Sequence, residues 1–261
     1  MNKVKEEFAA IVLCAGRGSR MKSDIPKQYM DLDGYPVIYY SLMAFENSEV
    51  ASVILVTGKD DIDYCQREIV QKYNLTKVKA VVPGGSERYD SVFEGLKNAK
   101  GADYVLIHDG ARPVLSEEII NKSCEAVKKY NACVTAVPAK DTIRVVDEQG
   151  FSQSTPDRRF LWLMQTPQTF SYELLWQSYQ KLYTDIQSGE NVPAITDDAM
   201  VVEYATGKKA KMIEGSYENI KITTPEDISV AKTFLKKMKT QRVGFEPPRP
   251  CGQTVFKTAS L

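Results

Sequence analysis

The sequence predicts an α/β protein: a Rossmann-like, mostly parallel sheet flanked by helices, with a projecting β-hairpin arm. Three observations lead there. Short apolar runs, such as Ala9 to Leu13 and Val53 to Thr57, alternate with longer stretches of helical periodicity. Brief turns rich in glycine, proline and aspartate separate them, which calls for right-handed crossovers between parallel strands. The alternation breaks once, at about residues 139–160, where two β-forming segments flank Glu148-Gln-Gly150.

In order, the first apolar run ends in Gly16-Arg-Gly18, followed by Arg20, Pro26 and Lys27. A run bounded by turn residues suits a strand buried on both faces. Glycines at its end fit a tight turn as well as an anion site, since without a Cβ they can bring backbone N–H groups close to phosphate. Arg20 and Lys27, each alone a solvated cation, appear together in one short loop stiffened by Pro26, and this favours a triphosphate cradle. The dinucleotide fingerprint and the Walker pattern are both absent.

Pro36 to Phe45 reads as a helix, Val53 to Thr57 as a strand, Asp60 to Tyr73 as a helix with an acidic first turn, and Val78 to Val82 as a strand. Pro83-Gly84-Gly85-Ser86-Glu87-Arg88 then leads into a helix ending near Asn98. The strand Tyr104 to His108 runs into Asp109-Gly110-Ala-Arg112, followed by a helix from Ser116 to Tyr130 and a strand from Cys133 to Val137. In such sheets ligands bind beyond the carboxyl ends of the strands. The Gly16 loop, Gly84-Gly85 and Asp109 should therefore share one crevice.

The arm comprises Thr142 to Asp147 and Phe151 to Thr155; a lone two-stranded ribbon is marginal in water, so a partner subunit is expected to cover it. Trp162 and Phe160 fit core or interface anchors. Helices are expected at Tyr172 to Tyr183 and Asp197 to Tyr204, strands at Lys211 to Glu214 and Asn219 to Thr223, and a last helix from Thr224-Pro225 to near Lys239. One domain, residues 1–240, accounts for these elements. Residues 241–261 lack periodicity and are expected to form a disordered tail.

Composition narrows the function. With 34 basic and 34 acidic residues, no global field draws the chain to nucleic acid or to a membrane surface. The acidic, short start suits no targeting peptide, and no apolar stretch approaches a membrane span, so the chain is expected in the cytoplasm. Five cysteines without regular spacing read as reduced thiols. The single histidine, His108, excludes a multi-histidine metal site and, at a buried strand end, fits a core residue better than a catalytic one. Asp109 fits a turn cap as well as a metal ligand, and Asp197 and Asp198 fit the N-terminal cap of a helix.

The motifs AGRGSRM, PKQY, PGGSERYDSV, HDGARP, AKDT, TPDR, QTPQ, TDDA and NIKITTPED, in this order from Phe8 to Met238, resemble the 2-C-methyl-D-erythritol 4-phosphate cytidylyltransferases of non-mevalonate isoprenoid synthesis. The resemblance implies an enzyme that transfers CMP from CTP to a polyol phosphate, releases pyrophosphate, uses Mg2+ and works as a homodimer through the arm. It implies that Leu13, Cys14, Ala15, Gly16, Arg17 and Gly18 wrap the nucleotide, with Arg20 and Lys27 on its phosphates. Gly85 and Ser91 match positions that read the base. Ser86 stands where aspartate is common, and Gly110 where alanine is usual. Asp109 matches the metal-associated aspartate, Thr166 a nucleotide contact, and Lys221 a bridge between both substrates. Thr142, Arg158 and Arg112 match residues that reach the neighbouring subunit's substrate. Ribitol-5-phosphate cytidylyltransferases share the loop and the QTPQ and IKITTP motifs, while HDGARP and AKDT favour the methylerythritol branch. A non-catalytic nucleotide-binding regulator would have no need of so many cations, and a hydrolase on His108 lacks a nucleophile elbow.

Overall fold

The computed structural model of the chain describes residues 6–16, 21 and 25–241. Strand β1 (Phe8–Cys14) is buried along almost its whole length, as its apolar run requires. A small hairpin, β2 (Asp31–Leu32) and β3 (Tyr35–Pro36), turns through Asp33 and Gly34, both at positive φ, and leads into α1 (Val37–Glu46). This Asp-Gly hairpin went unread in the sequence. Then come β4 (Ser52–Thr57), α2 (Ile62–Tyr64), β5 (Val78–Pro83), α3 (Arg88–Asn98), β6 (Tyr104–Asp109), α4 (Glu117–Tyr130) and β7 (Ala132–Pro138).

The arm carries only the short ladder of β8 (Val145–Val146) and β9 (Ser152–Ser154). Its turn is closed by Asp147, whose Oδ1 accepts from Gln149 N at 3.1 Å and Phe151 N at 2.9 Å. Next come β10 (Trp162–Ser171), α5 (Tyr172–Gln187), α6 (Asp198–Thr206), β11 (Lys211–Glu214) and α7 (Glu226–Gln241). Among the described residues no helix is long and apolar enough to cross a membrane.

The main sheet has the order β11-β7-β10-β6-β1-β4-β5, and all its pairings are parallel except those of β10 with β6 and β7. Helices cover both faces, so one apolar cluster lies between the sheet and α1 and α4, and another between the sheet and α3, α5 and α6. A third cluster, with Leu32, Val37, Val114, Ile222 and Leu235, seats α7.

Three expectations need correction. Residues 60–73 do not form a regular helix: after α2 the backbone widens to π-type hydrogen bonding over Cys65–Gln71, burying Cys65, Ile69 and Val70 together. Asn219 to Thr223 forms no strand; its neighbour is the loop after β6 rather than another strand, and Ile222 N donates to Ala111 O at 2.8 Å. The QTPQ motif, Gln165 to Gln168, returns the chain to the sheet inside the ten-residue β10. Proline is rare in a central strand, and here the ladder shifts register between Met164 and Gln168, so no N–H is required of Pro167. Phe160, read as a core or interface anchor, is 78% exposed, so it is not part of this chain's core. The tail beyond Gln241 lies outside the described residues.

Two buried positions generate tests. A Cβ on Gly95 of α3 would lie 2.4 Å from Ile11 Cγ2 and 3.2 Å from Val56 Cγ2. Alanine gains about 1 kcal/mol of helix propensity but overpacks by about 2–3 kcal/mol. Gly95→Ala is expected to lower the melting temperature, and Gly95→Val to lower it further; an unchanged or higher midpoint would contradict this packing. His108 is wholly buried, and burial lowers its pKa from 6.5 to about 4. The unfolded chain thus binds a proton near pH 6.5 that the native state takes up only near pH 4. Stability is expected to fall by up to about 3 kcal/mol as pH drops through that window. Urea unfolding of the parent and of His108→Gln at pH 7 and pH 4.5 checks this: the parent should lose more stability than the variant.

Candidate active site

The carboxyl ends of β1, β5 and β6 open into one cleft, as the topology demands. Leu13, Cys14, Ala15 and Gly16 form one wall, and Gly85, Ser86 and Ser91 the facing one. Lys27, Asp109 and Lys221 close the cleft between them. Residues far apart in sequence thus meet at one place. Arg17, Gly18 and Arg20 lie outside the described residues.

Local chemistry sets each wall. Gln28, 3% exposed, donates from Nε2 to Cys14 O at 2.6 Å and ties the segment after the glycine loop to the end of β1. The Cys14 thiol is raised well above its ordinary pKa by burial, which keeps it protonated. On the facing wall a Cβ on Gly84 would strike Ser91 Oγ at 2.6 Å and Ala15 Cβ at 2.7 Å, so glycine lets the two loops approach. Ser91 Oγ accepts from Gly85 N at 3.2 Å, and Asp90 closes a capping box with Glu87 at the start of α3. Ser86 donates to Asp90 Oδ2 at 2.8 Å.

Asp109 stands at the centre. Arg88 Nε lies 3.6 Å from its Oδ1, Arg112 Nε 3.6 Å from Oδ2, and Lys221 Nζ 2.9 Å from Oδ2. Burial pushes the carboxyl pKa up, but the charges of Arg88, Lys221 and Arg112 outweigh it and hold Asp109 well below the usual carboxylate range. It is therefore ionised at neutral pH.

The loops bearing these groups are held from β10. Thr166 Oγ1 accepts from Asp109 N at 3.1 Å and meets His108 Nδ1 at 2.9 Å. With Nδ1 as acceptor, the proton of the neutral ring falls on Nε2, which faces Arg112 O at 3.3 Å. Gln165 Nε2 donates to Ser216 O at 2.7 Å, and Asn219 Nδ2 to Thr166 O at 2.8 Å, which brings the segment after β11 across the sheet end. Lys221 rides on that segment. From the far side, Lys27 Nζ donates to Ile222 O at 2.9 Å.

The remaining expected residues sit elsewhere. Thr166, 4% exposed, and Gly110, also buried, lie beneath the cleft rather than on its wall. A Cβ on Gly110 would meet Ile38 Cδ1 at 2.4 Å, so glycine there lets the chain close onto β1. Arg112 is tucked inward, its side chain 11% exposed, and donates from Nη1 to Asn219 O at 2.8 Å. Thr142 and Arg158 are exposed on the arm and its base, away from this cleft, with Arg158 Nη1 bonded to Lys140 O at 2.7 Å. Asp197 caps α6 by accepting from Met200 N at 2.9 Å, as expected.

Arg88, Glu87 and Gln28 also line the cleft and went unassigned in the sequence. The one available signal was their adjacency, Arg88 within PGGSER and Gln28 after Lys27. Among the described residues no cluster of three or more histidine, cysteine or acidic side chains is placed to hold a metal. Asp109 offers one buried, ionised carboxylate to the cleft, which suits an ion that keeps its waters and arrives bound to phosphates, the habit of Mg2+.

Comparison with known proteins agrees with this architecture. The sequence profile of IspD, 2-C-methyl-D-erythritol 4-phosphate cytidylyltransferase, matches residues 8–237. The enzyme of that name from Lachnospira eligens is 50% identical over 228 residues, 87% of this chain and 98% of its own. Its counterpart from Clostridium novyi is 44% identical, covering 88% of this chain and 97% of its own. The crystal structure of 4-diphosphocytidyl-2C-methyl-D-erythritol synthase from Anaerococcus prevotii superposes with a TM-score of 0.75 at 34% identity, covering 88% of this chain and 96% of that one. The chain belongs to the 2-C-methyl-D-erythritol 4-phosphate cytidylyltransferase family.

Proposed function

We propose that this chain transfers CMP from CTP to 2-C-methyl-D-erythritol 4-phosphate, giving 4-diphosphocytidyl-2-C-methyl-D-erythritol and pyrophosphate. CMP transfer from CTP to a polyol phosphate is the chemistry of its family. The convergence of Lys27 and Lys221, from opposite ends of the chain, on the cleft that holds Asp109 supports transfer between two phosphates, and the 50% identity to the Lachnospira eligens enzyme supports methylerythritol phosphate as the acceptor. An acceptor phosphate must approach a triphosphate, and the repulsion between two anions is the main obstacle.

In this reading the backbone from Leu13 to Gly18 cradles the triphosphate, while Gly85, Ser86 and Ser91 face the base. The acceptor phosphate oxygen attacks the α-phosphorus, and the bond to the β,γ-pyrophosphate breaks in line. Lys27 and Arg20 neutralise charge growing on the leaving group, and Lys221 aligns the attacking phosphate. A phosphate is already ionised near neutral pH, so the attack needs no general base, in keeping with a His108 buried out of the cleft. Asp109 would hold the Mg2+ carried by the nucleotide; when bound, that ion shields phosphate charge.

The arm supports a second part of the proposal. Ile143, Val145, Val146 and Phe151 on it are all exposed, and Phe151 is 72% accessible. We assign this surface to a second copy of the chain, so that Thr142 and Arg158 can serve the partner's acceptor, with Arg112 supporting that site.

Two measurements test the reading. Lys27→Ala and Lys221→Ala should each lower kcat on the order of a hundredfold with an unchanged circular dichroism spectrum; turnover within a few-fold of the parent would remove that lysine from its role. Pyrophosphate release from CTP should depend on acceptor and be faster with methylerythritol phosphate than with ribitol 5-phosphate. Faster turnover with ribitol 5-phosphate would reassign the acceptor, and CTP binding without release would mark a regulator.

A further inference from the structure

Arg88 bridges two acids unequally. Its Nη2 donates to Asp198 Oδ2 at 2.8 Å, whereas its Nε stands 3.6 Å from Asp109 Oδ1, too far for a hydrogen bond. Asp198 lies at the first turn of α6 and is 0% exposed. Tyr179 of α5 donates to its Oδ1 at 2.8 Å. Gln168 of β10 fixes the helix start: its Oε1 accepts from Asp198 N at 3.0 Å and Ala199 N at 3.2 Å. Its Nε2 donates to Asp197 Oδ2 at 3.1 Å. Three elements thus hold one buried carboxylate against one guanidinium. That exceeds what capping α6 requires, because Asp197 already does so.

We propose that Asp198 is a positioning residue for the reaction: by engaging Arg88 it holds that guanidinium at ion-pair distance but out of hydrogen-bond reach of Asp109, leaving Asp109 Oδ1 available to the divalent cation of the nucleotide. The inference rests on the reading of Asp109 given above. The Arg88 side chain is only 28% exposed, so its charge favours an anionic partner. Without the charge of Asp198, the acid left in contact with Arg88 is Asp109. The guanidinium would close on it, and its planar fork suits a bidentate pair with a carboxylate. Asp109 would remain ionised but would be occupied.

The test is CTP binding by calorimetry at increasing MgCl2, a readout separate from turnover. In Asp198→Asn the Mg2+ concentration for half-maximal CTP binding is expected to rise about tenfold, a factor worth about 1.4 kcal/mol. The double variant Arg88→Met with Asp198→Asn, which removes the misplaced cation, should return to within about threefold of the parent. Tyr179→Phe loosens the same packing but keeps the Asp198 charge, so it should melt earlier and leave the Mg2+ titration unmoved. A titration of Asp198→Asn within twofold of the parent overturns the inference. So does a shift in Tyr179→Phe as large as in Asp198→Asn, or no recovery in the double variant. If Asp198→Asn does not fold, Arg88→Lys takes its place: its single ammonium should stay on Asp198 and leave the titration unmoved, and a tenfold rise overturns the inference. Asp109→Asn separates the two levels. No shift there overturns the reading of Asp109 and this inference with it, whereas a shift there alone overturns only the role of Asp198.

Discussion

A carboxylate at the end of a buried strand, ringed by three cations, is the constraint on which the rest depends. Asp109 costs free energy to bury, and Arg88, Arg112 and Lys221 offset that cost only if separate parts of the chain deliver them. Arg88 arrives at the start of α3, Arg112 on the loop after β6, and Lys221 on the irregular segment after β11. The fold is thus an arrangement for bringing charges to one sheet end. Under the proposed function, the same charges that make Asp109 tolerable let two phosphates meet in the cleft.

Strand β10 is the device that makes this delivery rigid. It enters antiparallel between β6 and β7, and its QTPQ segment fastens both the Asp109 backbone and the Asn219 segment. Side-chain hydrogen bonds from a sheet strand position groups that loops alone would hold loosely. Thr166 and Gln168 therefore act on the cleft from beneath.

The sheet was legible in the sequence because its strands are buried on both faces, and their apolar runs stand out against helical periodicity. The cleft was legible too, as glycines and an aspartate at strand ends must converge in a parallel sheet. Other features obeyed no local rule. Proline is rare in a central strand, yet a register shift accommodates Pro167. Ile220 and Ile222 looked like a strand, but their neighbours are a loop and α7, so packing without pairing suffices. Arg88 and Asp198 lie 110 positions apart, and their pairing follows from topology alone. A capping aspartate and one that holds an arginine look alike in TDDA; only burial tells them apart.

The arm leaves the sheet at Pro138 and returns at Trp162, and these two residues face each other across the β7–β10 ladder. Its base is stitched shut where Ala139 N donates to Leu161 O at 2.8 Å. An excursion closed at its root can be lengthened, shortened or recoloured with little entropic penalty and no change of register within the sheet. Descendants of this chain are thereby free to redraw the exposed surface of the arm while the cleft beneath stays in place.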